Sequence, residues 1–245
     1  VLDPAIAPEF GVDRAPPGPA DGTSPALASD GHDFLLVWQS GQAIVGAWLG
    51  PDGHALDTGS FVISTTRHTS GQPLDNSTPS IASNGSGFLV AWQAHRYTGS
   101  VDEYQVRAAH LDQTSGVLDP RNLDVSEESQ LQLSKVAVAS NGRGYFVAWG
   151  RGTLLTEFSG VVVGAASERV VTVRLATIRS RTFVDNPLGV ASDGEGYLVA
   201  MGQTGMRVNA SGALLDPAGL ALPGGDAIVF NGQDYVVAWS ERPGA

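Results

Sequence analysis

The 245-residue chain contains no cysteine. That absence excludes disulfide staples, thiolate nucleophiles and Cys-ligated zinc. Basic residues are scarce: 14 Lys plus Arg stand against 25 Asp plus Glu, a formal net charge of -11. Such a surface repels phosphate backbones and anionic headgroups, so nucleic acid is not expected as a partner. No apolar run approaches the roughly 20 residues of a spanning helix, and membrane insertion is not expected. The sequence also lacks HExxH, GxSxG and GxxxxGK, which argues against metalloprotease, α/β-hydrolase and nucleotide-hydrolysing chemistry.

What is present is glycine, 31 residues, with 14 prolines and only 16% charged residues. This composition fits an exported β-protein at the cell surface or outside the cell. The chain opens on Val1, as a processed or trimmed product would. A hydrophobic content of 42% suffices for a sizeable core.

One stretch recurs five times. Pro79 to Trp92 reads PSIASNGSGFLVAW, and related copies end at Trp38, Trp149, Met201 and Trp239. In each copy an Asp or Asn precedes a Gly, an aromatic follows three positions on, and the Trp or Met comes seven after the Gly. Asp30-Gly31, Asn84-Gly85, Asn141-Gly142, Asp193-Gly194 and Asn231-Gly232 therefore predict five hairpins with tight turns. An Asp/Asn-rich turn is not a calcium ligand set, and no metal or cofactor is expected. The aromatic and the Trp, four apart in a strand, share one face and pack between layers.

A third and a fourth candidate strand follow each hairpin, the fourth often opened by Leu-Asp-Pro. The repeated glycines are 54, 57, 52 and 38 residues apart. These periods match propeller blades of roughly 40–50 residues with loop insertions. The predicted fold is all-β, a single five-bladed β-propeller. Its blades run over about 24–64, 78–126, 134–178, 186–222, and 226–242 together with 1–7. Val1 to Ala7 repeats the Leu-Asp-Pro opening, so this amino-terminal strand is expected to join the carboxy-terminal blade and close the ring. The closing blade is short of residues for four strands, so either it has three or the chain is a fragment of a longer repeat array, with neighbouring domains, that ended and began inside a blade.

In that architecture the dissimilar segments gather on one face: Pro8 to Ser24, Thr65 to Thr78, Gln93 to Glu103, Glu127 to Ser134, Gly150 to Ser159 and Arg179 to Asn186. Irregular loops on one side of a rigid scaffold are where ligands usually bind.

The segment QAHRYTGSVDE sets His95, Arg96, Tyr97, Asp102 and Glu103 on a predicted ligand-face loop. Arg67 and His68 form a second cluster with Asp75, and Arg151 lies near the mouth of the third blade. An aromatic face with planar donors and acceptors suits a sugar. The plain alternative is a solvated loop whose charges pair with one another. A glycosidase would need two carboxylates facing across the funnel, about 5–5.5 Å or 6.5–9.5 Å apart. Asp75, Asp102, Glu103, Glu127, Glu157, Asp185 and Glu241 are all candidates, and the sequence does not choose among them.

The hairpin SIASNGSGFLVAW (Ser80 to Trp92), with GVLDPRNLDV and GALLDPAGLAL, resembles β-propeller repeats of bacterial secreted and surface proteins. The resemblance covers nearly the whole chain and is weakest over Gly150 to Val184. It implies architecture and no catalytic residue. In blade number the chain is similar to tachylectin-type lectins and to several five-bladed glycosidases. The expected function is an extracellular module that binds a glycan or a protein surface. The alternatives are a glycoside hydrolase or lyase with acidic residues in the funnel, and a structural repeat of a larger surface protein.

Overall fold

The computed structural model describes residues 22–56, 59–152, 155–165, 169–179, 188–225 and 227–239. Val1 to Ala7, Asp185, Glu241 and most of Pro8 to Ser24 and Arg179 to Asn186 lie outside them. The described residues are all-β, with five separate antiparallel sheets and no helix.

The first sheet runs in chain order β1 (Thr23–Ser29), β2 (Phe34–Ser40), β3 (Ala43–Leu49) and β4 (Phe61–Val62). In the second, β5 (Asp75–Ser83), β6 (Phe88–Tyr97), β7 (Asp102–Asp112) and β8 (Gly116–Val117) lie in order, and β9 (Leu123–Asp124) also pairs with β7. The third holds β10 (Leu133–Ser140), β11 (Gly144–Arg151), β12 (Leu155–Gly164) and β13 (Arg169–Arg179). The fourth holds β14 (Leu188–Ser192), β15 (Gly196–Met201), β16 (Thr204–Asn209) and β17 (Leu220–Ala221). A last hairpin joins β18 (Ala227–Phe230) to β19 (Tyr235–Ala238). The first strand of each sheet lies against the first strand of the next.

The repeated turn explains itself chemically. Pairing resumes at Ser83 with Phe88, so the loop has four residues. Asn84 Oδ1 accepts hydrogen bonds from the backbone N–H groups of Ser86 (3.0 Å) and Gly87 (2.9 Å), while Gly85 takes φ +87°. Ser83 Oγ accepts from Gly85 N–H and donates to the Gly87 carbonyl. An Asx side chain that mimics backbone, followed by a residue free to adopt positive φ, is what this loop requires. Asp30, Asn141, Asp193 and Asn231 accept in the same way.

The apolar faces then interleave. Phe88, Val90 and Trp92 face back onto Leu35, Val37 and Trp48 of the first sheet. Tyr145, Val147 and Trp149 face Leu89 and Ala91 of the second, and Tyr197, Val199 and Met201 face Phe146 and Ala148 of the third. Each inner sheet is thus covered on both faces, so β6, β11 and β15 are nearly continuous runs of apolar residues rather than alternating ones.

Leu-Asp-Pro has a structural task. Asp119 Oδ2 accepts from the backbone N–H of His110 (2.7 Å) and meets its Nδ1 (2.9 Å), while His110 Nε2 lies 2.8 Å from the Gly164 carbonyl of the third sheet. Asp216, at the same nine-residue offset, holds Arg207 through Nε (2.7 Å) and Nη2 (2.8 Å). This pairing raises the Arg207 pKa and lowers that of Asp216, chiefly through the hydrogen bond between them.

Candidate functional site

The strand pairing brings the sheet-to-sheet connections and the turns after β2, β6 and β11 to the same end of the sheets. Asp75 pairs with His95 at that end, and Leu133 pairs with Arg151.

The segment Gln93 to Glu103, expected as a loop, is mostly strand. β6 and β7 continue through His95 opposite Tyr104, Arg96 opposite Glu103 and Tyr97 opposite Asp102, so only Thr98 to Val101 turns. The physical reason lies in the cross-strand pairs, Arg96 opposite Glu103 and the His95 ring against Tyr104, which extend the ladder beyond its apolar part.

Arg96 is the centre of a network built from three segments. Its Nη2 contacts Glu103 Oε2 at 2.6 Å and Glu128 Oε2 at 2.7 Å. Its Nη1 donates to Gln72 Oε1 (3.0 Å) and to His68 Nδ1 (3.1 Å). Because an arginine only donates, His68 Nδ1 is the acceptor; the ring proton sits on Nε2, which faces Glu128 Oε1 at 3.2 Å. A small arch sets His68 and Gln72 in place through His68 N–H to the Gln72 carbonyl (2.9 Å) and Gly71 N–H to the His68 carbonyl (2.8 Å). Glu128 is positioned by the reciprocal backbone pair of Ser129 with Tyr104.

Beside this network His95 Nε2 lies 2.7 Å from Asp102 Oδ1, and the ring stacks on Tyr104 with centroids 4.8 Å apart. Burial, and then the Asp102 charge, push the Tyr104 phenol pKa up.

The structure therefore brings together His68, Arg96 and Glu103, with His95 and Asp102 next to them. Arg67 donates to the Gly71 carbonyl, and Tyr97 is exposed with its hydroxyl on the Gly99 carbonyl. Within QAHRYTGSVDE, Arg96 pairs with Glu103 and His95 with Asp102. Glu128 and Gln72 were not singled out by sequence; the acidic doublet at Glu127 and Glu128 was the available signal.

Arg151 belongs to a different feature, a cavity of about 180 Å³ between the second and third sheets. Ser126 and Glu127 from the connection after β9 line it on one side, and Trp149, Arg151, Ser159 and Thr172 line the other. Arg151 Nη2 is 3.4 Å from Glu157 Oε2, and Arg174 Nη2 is 3.3 Å from the other carboxylate oxygen. Trp149 is buried, and no acceptor among the described residues meets its indole N–H. No group of three or more His, Asp or Glu among the described residues is placed to hold a metal ion.

No protein-family model and no curated protein match the chain. Among solved structures it is similar to an exo-β-1,3-galactanase from Phanerochaete chrysosporium, solved with β-1,3-galactotriose. The likeness has a TM-score of 0.47 and 8% identity, over 81% of this chain and 49% of that one. It is also similar to a structure described as the eukaryotic initiation factor, with a TM-score of 0.29 and 11% identity, over 79% of this chain and 54% of that one. The chain thus spans about half the length of each of these proteins.

Proposed function

We propose that this chain is an extracellular or cell-surface binding module that recognises a glycan through the loop-bearing end of five propeller blades. The ring is supported by the faces left at its two ends. Leu27 occupies the position of Ile81 and Val138, which pack back onto the preceding sheet, yet it is 53% exposed. Val236 occupies the position of Leu89 and Phe146, which pack onto the following sheet, yet it is 47% exposed. Those two faces are complementary halves of the interface that joins every other pair of neighbours.

The observation that carries the binding reading is the cavity at the loop end. It combines one aromatic ring, one guanidinium, one carboxylate and three hydroxyls, the donor and acceptor mixture that sugar hydroxyls need. Binding is favoured over hydrolysis by the arrangement of the nearby acids. Glu103 and Glu128 both contact one nitrogen of Arg96, whereas the two carboxyl groups of a glycosidase flank the scissile bond.

A glycan-array screen followed by a turnover assay on every hit tests this. Binding without turnover is the expected result. Silence on the array removes the glycan reading, and turnover of a bound glycan replaces it with the hydrolase.

A further inference from the structure

The cavity between the second and third sheets is explained by what the preceding pair of sheets carries in the same place. Trp92 and Trp149 hold the same position in their hairpins. Arg107 pairs with Trp92 across the ladder, and Ser159 pairs with Trp149. Two residues past each Trp, Ala94 faces Asn76 and Arg151 faces Leu133. Ser64 Oγ accepts from the Ile44 N–H and Ser126 Oγ from the Val106 N–H, so the residues that follow, Thr65 and Glu127, are equivalent.

Between the first and second sheets these positions form a plug. Arg107, 6% exposed, donates from Nη1 to Thr65 Oγ1 (2.8 Å) and from Nη2 to the Arg121 carbonyl (2.7 Å). The Trp92 indole N–H donates to Asn76 Oδ1 at 2.8 Å. Between the second and third sheets Ser159 supplies no guanidinium and Leu133 no acceptor. What stands there is the cavity of about 180 Å³, lined by Trp149, whose buried indole N–H meets no acceptor among the described residues.

We propose that this cavity is a subsite for one neutral sugar unit, formed where the third repeat dispenses with both plugging side chains. The assignment rests on the glycan-binding reading above and gives it a location and a substrate class. A sugar hydroxyl donates its proton to the Glu127 carboxylate and accepts from the Arg151 guanidinium, the Ser159 and Thr172 hydroxyls offer further partners, and Trp149 supplies the aromatic wall. An anionic sugar is opposed by Glu127, and the charge of Arg151 is already offset by Glu157. The volume is below the roughly 300–1,000 Å³ of pockets that enclose a drug-sized ligand, so it takes one unit and leaves the rest of the glycan on the rim.

The test restores the plug. The double variant Ser159→Arg/Leu133→Asn copies the preceding repeat, and Glu127→Thr alters the same site through an exposed position. Each is titrated calorimetrically with a neutral oligosaccharide that binds the wild-type chain on the array, alongside its thermal midpoint. The double variant is expected to lose at least about tenfold in affinity with an unchanged or raised midpoint. Glu127→Thr is expected to lose several-fold, and it decides the matter should the double variant unfold early. Wild-type affinity in Glu127→Thr and in a folded double variant overturns the subsite, while glycan recognition elsewhere on that end stands. Tighter binding of glucuronate-terminated than of neutral glycans overturns the neutral assignment. A wild-type chain that binds no sugar removes the glycan reading itself, and the subsite with it.

Discussion

Asp119→Ala is the sharpest test of how the sheets are joined. Asp119 accepts from the His110 backbone N–H at 2.7 Å and meets its Nδ1 at 2.9 Å, with His110 2% exposed and Asp119 9% exposed. The alanine takes the carboxylate from both donors and loosens the ring that reaches the Gly164 carbonyl of the next sheet. Removing one partner of a buried pair costs about 3–5 kcal/mol. For a chain of this size, that corresponds to a fall of roughly 6–20 °C in thermal midpoint. The comparison is Asp216→Ala, which cuts the same motif where Arg207 faces solvent; screening and hydration make its shift much smaller. Calorimetry on both variants and on His110→Ala/Asp119→Ala reads the effect, and the double variant should fall no further than the worse single one. Equal shifts for Asp119→Ala and Asp216→Ala, or a fall under about 2 °C for the former, would refute burial as the source of the difference.

Asn76→Leu, which copies the third repeat, removes the Trp92 acceptor and two bonds to the carbonyls of Gln42 and Thr65. A loss of about 1–3 kcal/mol by urea denaturation is expected, and no loss would mean that the indole finds another acceptor. Gly160→Ala drives a methyl into the Phe146 ring and towards the Val147 carbonyl; overpacking of this kind costs about 1–3 kcal/mol, read in the same assay. The Asp193 carboxyl is held below its usual pKa by the backbone N–H groups of Gly196 and Glu195. A depressed pKa contributes stability that is present above the unfolded value of about 3.9 and lost as pH falls through the folded one. Asp193→Asn keeps the acceptor, as Asn84 and Asn141 do. It should match the wild type at pH 7 and lose less stability on acidification; identical acid profiles would count against the loop as the source.

The hairpins were legible because their code is local. An Asx side chain, a glycine with positive φ and an aromatic three positions on specify the loop within six residues, and Asn231 and Asn84 do this identically despite different neighbours. Strand ends were less legible, because the ladder from His95 to Tyr104 is extended by cross-strand partners close in sequence, such as Arg96 with Glu103, not by apolar periodicity. The third and fourth strands show the same limit. β8 and β17 are two residues each, because Leu-Asp-Pro segments pair through one aspartate and a few backbone bonds rather than through a long alternating run.

The site was least legible, and the reason is physical. Ser159 and Leu133 both suit a strand, and neither departs from the apolar pattern around it, so no single repeat marks them as unusual. Their meaning depends on register, which places them against Trp149, and on the neighbouring repeats, which handle the same indole differently. The second sheet gives Trp92 an acceptor in Asn76. The fourth removes the donor, since Met201 stands at the Trp position and is buried without any N–H to satisfy. In the third the buried indole N–H meets no acceptor among the described residues, and the cavity lies beside that ring. Repetition accounts for the scaffold, so a place where one repeat departs from its neighbours in two side chains beside the same Trp, and leaves a cavity there, is where a ligand has most to gain.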